Sequence, residues 1–187
     1  KYCNILLAPN KGNCKYLKEK YHAIPSYVSY NNYDKRYDKY NLINKEELSE
    51  IKFAMSGGLN ITEKEIINSF PEICYLGIKP DVSELTNYNV MLCFRNIEES
   101  FYKPSTKVSA ASVFGTIFAG SDSFAFKDIL GEDYPYFIPM DGITVDRVKG
   151  LLMYIKETYK TEIWYNAVRK MKVAYDKSNM DNITKDI

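Results

Sequence analysis

The chain has 187 residues, enough for one domain or for one domain with a piece of another, and its 45% hydrophobic and 26% charged content is ordinary for a globular protein. A net charge of +1 gives no general case for a nucleic-acid or membrane partner. Four cysteines without a CxxC pair, beside the single histidine His22, argue against a zinc site.

The near-neutral total hides an asymmetry. Residues 1–44 carry eight Lys/Arg against three Asp/Glu, and residues 45–187 carry 17 against 21. The basic segment reads as a solvated face, or as a surface turned toward an acidic acceptor or membrane headgroups. Cys74 and Cys93 fall inside apolar runs, where cysteine behaves as a small buried hydrophobe, so the expectation is a reduced, intracellular protein. No apolar stretch approaches the ~18 residues of a membrane span. The start at Lys1 rather than Met, almost directly in a strand-like run, raises the expectation of a fragment of a longer polypeptide.

In chain order, Asn4–Ala8 reads as a buried strand ending at Pro9, Asn13–Tyr21 as a helix and Ser26–Tyr30 as a second strand. Asn31–Asn44 is polar, Tyr-rich and aperiodic, which makes it the expected linker and boundary. A second series begins with the strand Lys52–Ser56, which runs into Gly57-Gly58. Thr62 and Glu65 have capping-box spacing at the start of a helix over Glu63–Phe70. Strands follow at Ile73–Ile78 and Asn89–Phe94 around a short helix at Val82–Thr86. Ser105–Phe114 is helical up to Gly115, Thr116–Ala119 a strand, Ser123–Leu130 a helix ending at Gly131, and Tyr136–Ile138 a strand. Val145, Val148, Leu152, Ile155 and Tyr159 form one amphipathic stripe, and Trp164, Ala167, Val168, Met171 and Tyr175 a second, both core-facing.

Strands separated by helices of this length imply parallel strands and a doubly wound α/β sheet, whose ligands sit outside the strands' carboxyl ends. Three strand-end loops therefore hold the candidate chemistry. Ser56-Gly57-Gly58-Leu59-Asn60 brings backbone N–H groups toward a helix N-terminus, as either a phosphate turn or a plain tight turn. Arg95 and the run Lys103-Pro104-Ser105-Thr106-Lys107 join cations to a helix start, which suits a diphosphate or an ordinary solvated start. Gly120-Ser121-Asp122-Ser123 leads into a third helix. There Asp122 reads as a helix cap, and Asp128, in mid-helix, as a ribose-binding carboxylate or an exposed acid.

Lys103–Lys107, Ala110-Ala111, Gly115-Thr116-Ile117 and Ser123 through Asp128-Ile129-Leu130 together resemble the donor domain of GT-B glycosyltransferases. That family carries a KPxxK stretch, a small-residue helix, G-x-P-x-I, and an acidic residue before an aliphatic pair. Ser56-Gly57-Gly58 resembles the family's glycine turn, Val28 through Asp34 its hinge, and the closing helices with Trp164 its C-terminal pair. The resemblance covers roughly residues 26–178. It implies a Rossmann-like doubly wound donor domain over 45–187, with 1–44 as the end of the acceptor-side domain and its linker. It further implies transfer of a sugar from a nucleotide diphosphate to a glycan or other hydroxyl acceptor, in the synthesis of surface polysaccharide or glycoconjugate.

By the same resemblance, Lys107 with Arg95 neutralises the diphosphate and Asp128 stands at the ribose carboxylate, usually Glu. No metal or other cofactor and no nucleic-acid partner are implied, and the place is the cytoplasm or the inner membrane face. Two positions depart from the pattern: Phe118 stands where a smaller aliphatic residue is common, and Gly120 where a glutamate often lies. A non-catalytic α/β binding module is the first rival. A nucleic-acid-binding surface of Lys160, Arg169, Lys170 and Lys172 is the second, although those cations alternate with Glu157, Glu162 and Asp176.

Overall fold

Five short parallel strands carry the fold. The computed structural model describes residues 5–8, 11–22, 24–28, 50–78, 80–97 and 103–178. Cys3, the start of the first predicted strand at Asn4, Ser29-Tyr30 and the predicted linker 31–44 lie outside the described residues. The described chain opens with β1 (Leu6–Ala8), α1 (Lys11–Lys20) and β2 (Ser26–Val28). The main series is β3 (Phe53–Met55), α2 (Ile61–Ser69), β4 (Ile73–Tyr75), α3 (Val82–Leu85), β5 (Val90–Cys93) and α4 (Thr106–Val113). It continues through β6 (Ile117–Ser121), α5 (Phe124–Leu130), β7 (Phe137–Ile138), α6 (Val145–Glu157) and α7 (Glu162–Ser178).

β1 and β2 pair parallel in a sheet of their own, while the second sheet has the order β4-β3-β5-β6-β7, parallel throughout. Every residue of β3, β5 and β6 is buried. A strand buried at consecutive positions is covered on both faces, which is why these runs are apolar without alternation. α2 packs with α6, and α7 packs with α4 and α5. The chain leaves β3 for β4 on one side and returns to β5 on the other, so the topological switch point lies between β3 and β5.

The helix ends follow local chemistry. α2 begins with a capping box of Asn60 and Glu63, not Thr62 and Glu65, so the helix starts at Ile61, two residues before the predicted Glu63. α4 stops at Gly115 (φ +63°), and the Thr116 hydroxyl donates to the Ala111 carbonyl there. Both closing stripes face inward: Val148, Leu152, Ile155, Trp164, Ala167 and Met171 are buried. Trp164 meets Tyr159 edge-on at 4.7 Å, and the Tyr136 hydroxyl lies 3.0 Å from Thr158 Oγ1. Phe118, large where the family pattern is small, is fully buried with its ring 4.5 Å from that of Phe126. Cys93 is buried as expected, whereas Cys74 is exposed, because β4 is the edge strand. None of the described helices is long and apolar enough to cross a membrane.

Candidate functional site: the crevice between β3 and β5

β3 ends at Met55, and the chain turns away through Ser56 and Gly57. Gly57 has φ +95°, a conformation that L side chains rarely adopt, and its N–H donates to the Gly77 carbonyl at 2.7 Å. A Cβ at Gly57 would stand 2.5 Å from Lys107 Nζ, whereas Gly58 has open space around it. The Lys107 ammonium, from the first turn of α4, donates to the Ser56 carbonyl and lies 3.2 Å from Ser56 Oγ. The first predicted loop and the second predicted helix start therefore meet, 51 residues apart in sequence.

Arg95 follows β5 and is 5% exposed. Its N–H donates to Ser121 Oγ (2.8 Å), and its guanidinium donates to the carbonyls of Lys103 (2.8 Å) and Pro104 (2.6 Å). The same guanidinium lies 4.2 Å from the centre of the Phe126 ring. Arg95 thus sits beneath the Lys103-Pro104 backbone and ties three loops together, with its positive charge close behind the start of α4. Ser105 and Ser123, the residues before α4 and α5, are buried, and their hydroxyls make no hydrogen bond among the described residues. Thr106 and Lys103 are exposed beside them.

Burial, the largest influence, holds the Lys107 ammonium below the usual lysine range; Arg95 and Lys103 push the same way, while Cys93 and the Glu63 carboxylate oppose. Such a cation is partly stripped of water before an anion arrives, so its field is screened less than that of an exposed lysine.

Two predicted residues lie apart from this network. Asp122 does not cap α5: its Oδ1 accepts from the Met140 N–H (2.8 Å), and its other oxygen lies 3.6 Å from Lys127 Nζ. Asp128 faces the small β1–α1–β2 unit, accepting from the Lys11 N–H at 2.8 Å and lying 3.2 Å from Lys11 Nζ. With its side chain 10% exposed, Asp128 caps α1. Gly120, in register with Cys93, has no room for a side chain, because a Cβ would strike the Cys93 carbonyl. That contact gives the physical reason why no acidic residue stands there.

Ser56 and Asn60 fall inside the first predicted loop, but the role of Asn60 as the cap of α2 and the part played by Glu63 were missed, although the Asn60–Glu63 spacing carries a capping-box signal. His22 lies exposed with Nδ1 2.9 Å from the Glu19 carbonyl, at the end of α1. Of the proposed nucleic-acid surface, Arg169 pairs with Glu162 (2.5 Å) and Lys170 with Asp133 (2.6 Å). Among the described residues no group of three or more His, Cys, Asp or Glu could hold a metal ion.

No protein-family model matches the sequence, and no curated protein matches it. Among solved structures the chain is similar to the pneumococcal O-GlcNAc transferase GtfA, determined in complex with UDP and GlcNAc. The TM-score is 0.58 at 15% identity, over 97% of this chain and 44% of that one, so this chain spans less than half the length of that transferase. The likeness shows the fold alone: a Rossmann-like, doubly wound parallel sheet closed by C-terminal helices.

Proposed function

We propose that the crevice between β3 and β5 binds a nucleotide-diphosphate sugar, and that the chain supplies the donor half of a glycosyltransferase acting on a hydroxyl acceptor. The observation that carries this reading is the Lys107 ammonium, poised over the glycine turn at the switch point. In doubly wound sheets, ligands enter at this place. In sugar transfer the bond from the anomeric carbon to the diphosphate breaks, and negative charge grows on the departing oxygen. A partly desolvated ammonium and the N–H groups at the start of α4, backed by the Arg95 charge, favour that oxygen more as its charge increases. Beside Gly58 the turn leaves room for an oxyanion to approach the backbone. In this reading Gly57, Gly58, Lys103, Ser105, Thr106 and Lys107 line the diphosphate place. Arg95, Ser121 and Ser123 organise it from behind.

A thermal-shift screen against UDP, GDP, CMP and their sugars tests the proposal. A ligand at about 100 times its Kd adds about 2.7 kcal/mol to stability, so a binding diphosphate raises Tm by several degrees. The expected result is a shift with at least one nucleoside diphosphate that exceeds the shift with CMP. No shift with any diphosphate, or a larger one with CMP, overturns it.

A further inference from the structure

The hydrogen bonds of the glycine turn sort its backbone groups into two sides. β3 lies between β4 and β5, so each peptide that follows it has one group toward β4 and the other toward the crevice. In a planar trans peptide the carbonyl and the N–H point in opposite directions. The Ser56–Gly57 peptide follows this rule: its N–H donates to the Gly77 carbonyl at 2.7 Å, just past β4, and its carbonyl accepts from the Lys107 ammonium on the other side. The Gly57–Gly58 peptide is held by its carbonyl, which accepts from the Tyr75 hydroxyl at 2.8 Å. Tyr75 is the last residue of β4. The Gly58 N–H is thereby turned away from β4, to the side where Lys107 stands. It makes no hydrogen bond among the described residues, and no atom lies within 4 Å of where a Gly58 Cβ would be.

We propose that Tyr75 is a positioning residue of this crevice: its hydroxyl holds the Gly57 carbonyl toward β4 and so presents the Gly58 N–H, beside Lys107, as the backbone donor for a diphosphate oxygen. The inference rests on the reading of the crevice as a diphosphate site, and it adds to that site a side chain from the edge strand. An ammonium supplies charge but swivels on a long stem, whereas an amide supplies a direction that its peptide fixes. Glycine stands on both sides of the 57–58 peptide, so without an anchor that peptide turns at little steric cost. A donor contributes most when it is aimed before the charge arrives, and the Tyr75 hydroxyl is the group that aims this one. Tyr75 is 39% exposed, so removing its oxygen alone opens no cavity in the core.

The test compares Tyr75→Phe with Tyr165→Phe, which removes a hydroxyl from an equally exposed tyrosine on α7. UDP binding to the whole chain is followed by calorimetry and by nitrogen-15 NMR of the Gly58 amide. In wild type, UDP is expected to move the Gly58 amide proton downfield as it enters a new hydrogen bond. Tyr75→Phe is expected to weaken UDP binding by about three- to tenfold, the scale of one hydrogen bond, and to shrink the Gly58 response, with the thermal midpoint close to wild type. Tyr165→Phe is expected to leave both readouts at their wild-type values. UDP affinity and a Gly58 response that Tyr75→Phe leaves unchanged overturn the positioning role while the donor reading stands. If Tyr75→Phe fails to fold, the wild type decides: UDP binding that moves the Ser56 and Thr106 amides but not that of Gly58 overturns the assignment. A wild type that binds neither UDP nor GDP overturns the donor reading and the positioning role together.

Discussion

Replacing Gly57 by alanine isolates the geometry on which the crevice depends. The native φ of +95° is strained for any residue with a Cβ, at a cost of about 1–3 kcal/mol. The new Cβ would also stand 2.5 Å from Lys107 Nζ and 3.3 Å from its Cε. A lysine tip is flexible, so the clash is relieved cheaply, but only by lifting the ammonium off the Ser56 carbonyl. Losing part of that charged hydrogen bond brings the total to about 2–4 kcal/mol of folding stability. Gly58, one residue on, has neither a positive φ nor any atom within contact of a Cβ, so Gly58→Ala is the matched control and should change stability by less than about 1 kcal/mol. Urea unfolding with a common m-value gives both numbers, and UDP affinity of the same samples reports whether the ammonium has moved. Equal stabilities and equal affinities for the two variants would mean that neither the positive φ of Gly57 nor the seat of Lys107 beside it matters to the crevice.

Gly120→Ala drives a Cβ into the Cys93 carbonyl between two central strands, where no flexible side chain can yield. The expected cost is about 3 kcal/mol or more, read by thermal unfolding, and a neutral variant contradicts the close approach of β5 and β6. Asp128→Ala removes the acceptor at the start of α1; about 0.5–2 kcal/mol of helix capping is lost, and amide exchange accelerates over residues 11–20. Nucleotide affinity should stay unchanged in that variant. A drop to match that of a Lys107 variant would instead return Asp128 to the ribose contact that the family resemblance implies.

The fold was legible in the sequence because its signals are local. Buried strands show as unbroken apolar runs such as Val90–Cys93, and glycines at 115 and 131 mark where α4 and α5 stop. Strand order was not legible. Cys74 looks as buried in sequence as Cys93, and only the placement of β4 at the sheet edge separates them. The two capping-box pairs at the start of α2 show the same limit. Asn60–Glu63 and Thr62–Glu65 obey one spacing, and the choice is made by the Phe94 peptide, 31 residues beyond Glu63, which needs both Asn60 and Glu63. Asp128 carried a mid-helix signal open to two readings, while its partner Lys11 lies 117 residues away. The loops at 57, 95, 103–107 and 121 could be assigned to one edge from the parallel topology alone. That Arg95 lies beneath the 103–104 backbone, while Lys107 stands over Gly57, is set by tertiary contacts that no spacing encodes.

Calorimetry of UDP or GDP binding to Lys107→Ala decides whether Lys107 holds a diphosphate at the switch point. Lys170→Ala, whose ion pair with Asp133 lies on α7 away from the crevice, is the control. Loss of a charged hydrogen bond to the ligand, about 1.5–3 kcal/mol, should weaken binding by about 10- to 150-fold in the first variant and leave the second at wild-type affinity. Equal affinities for the two variants would mean that Lys107 does not hold the diphosphate.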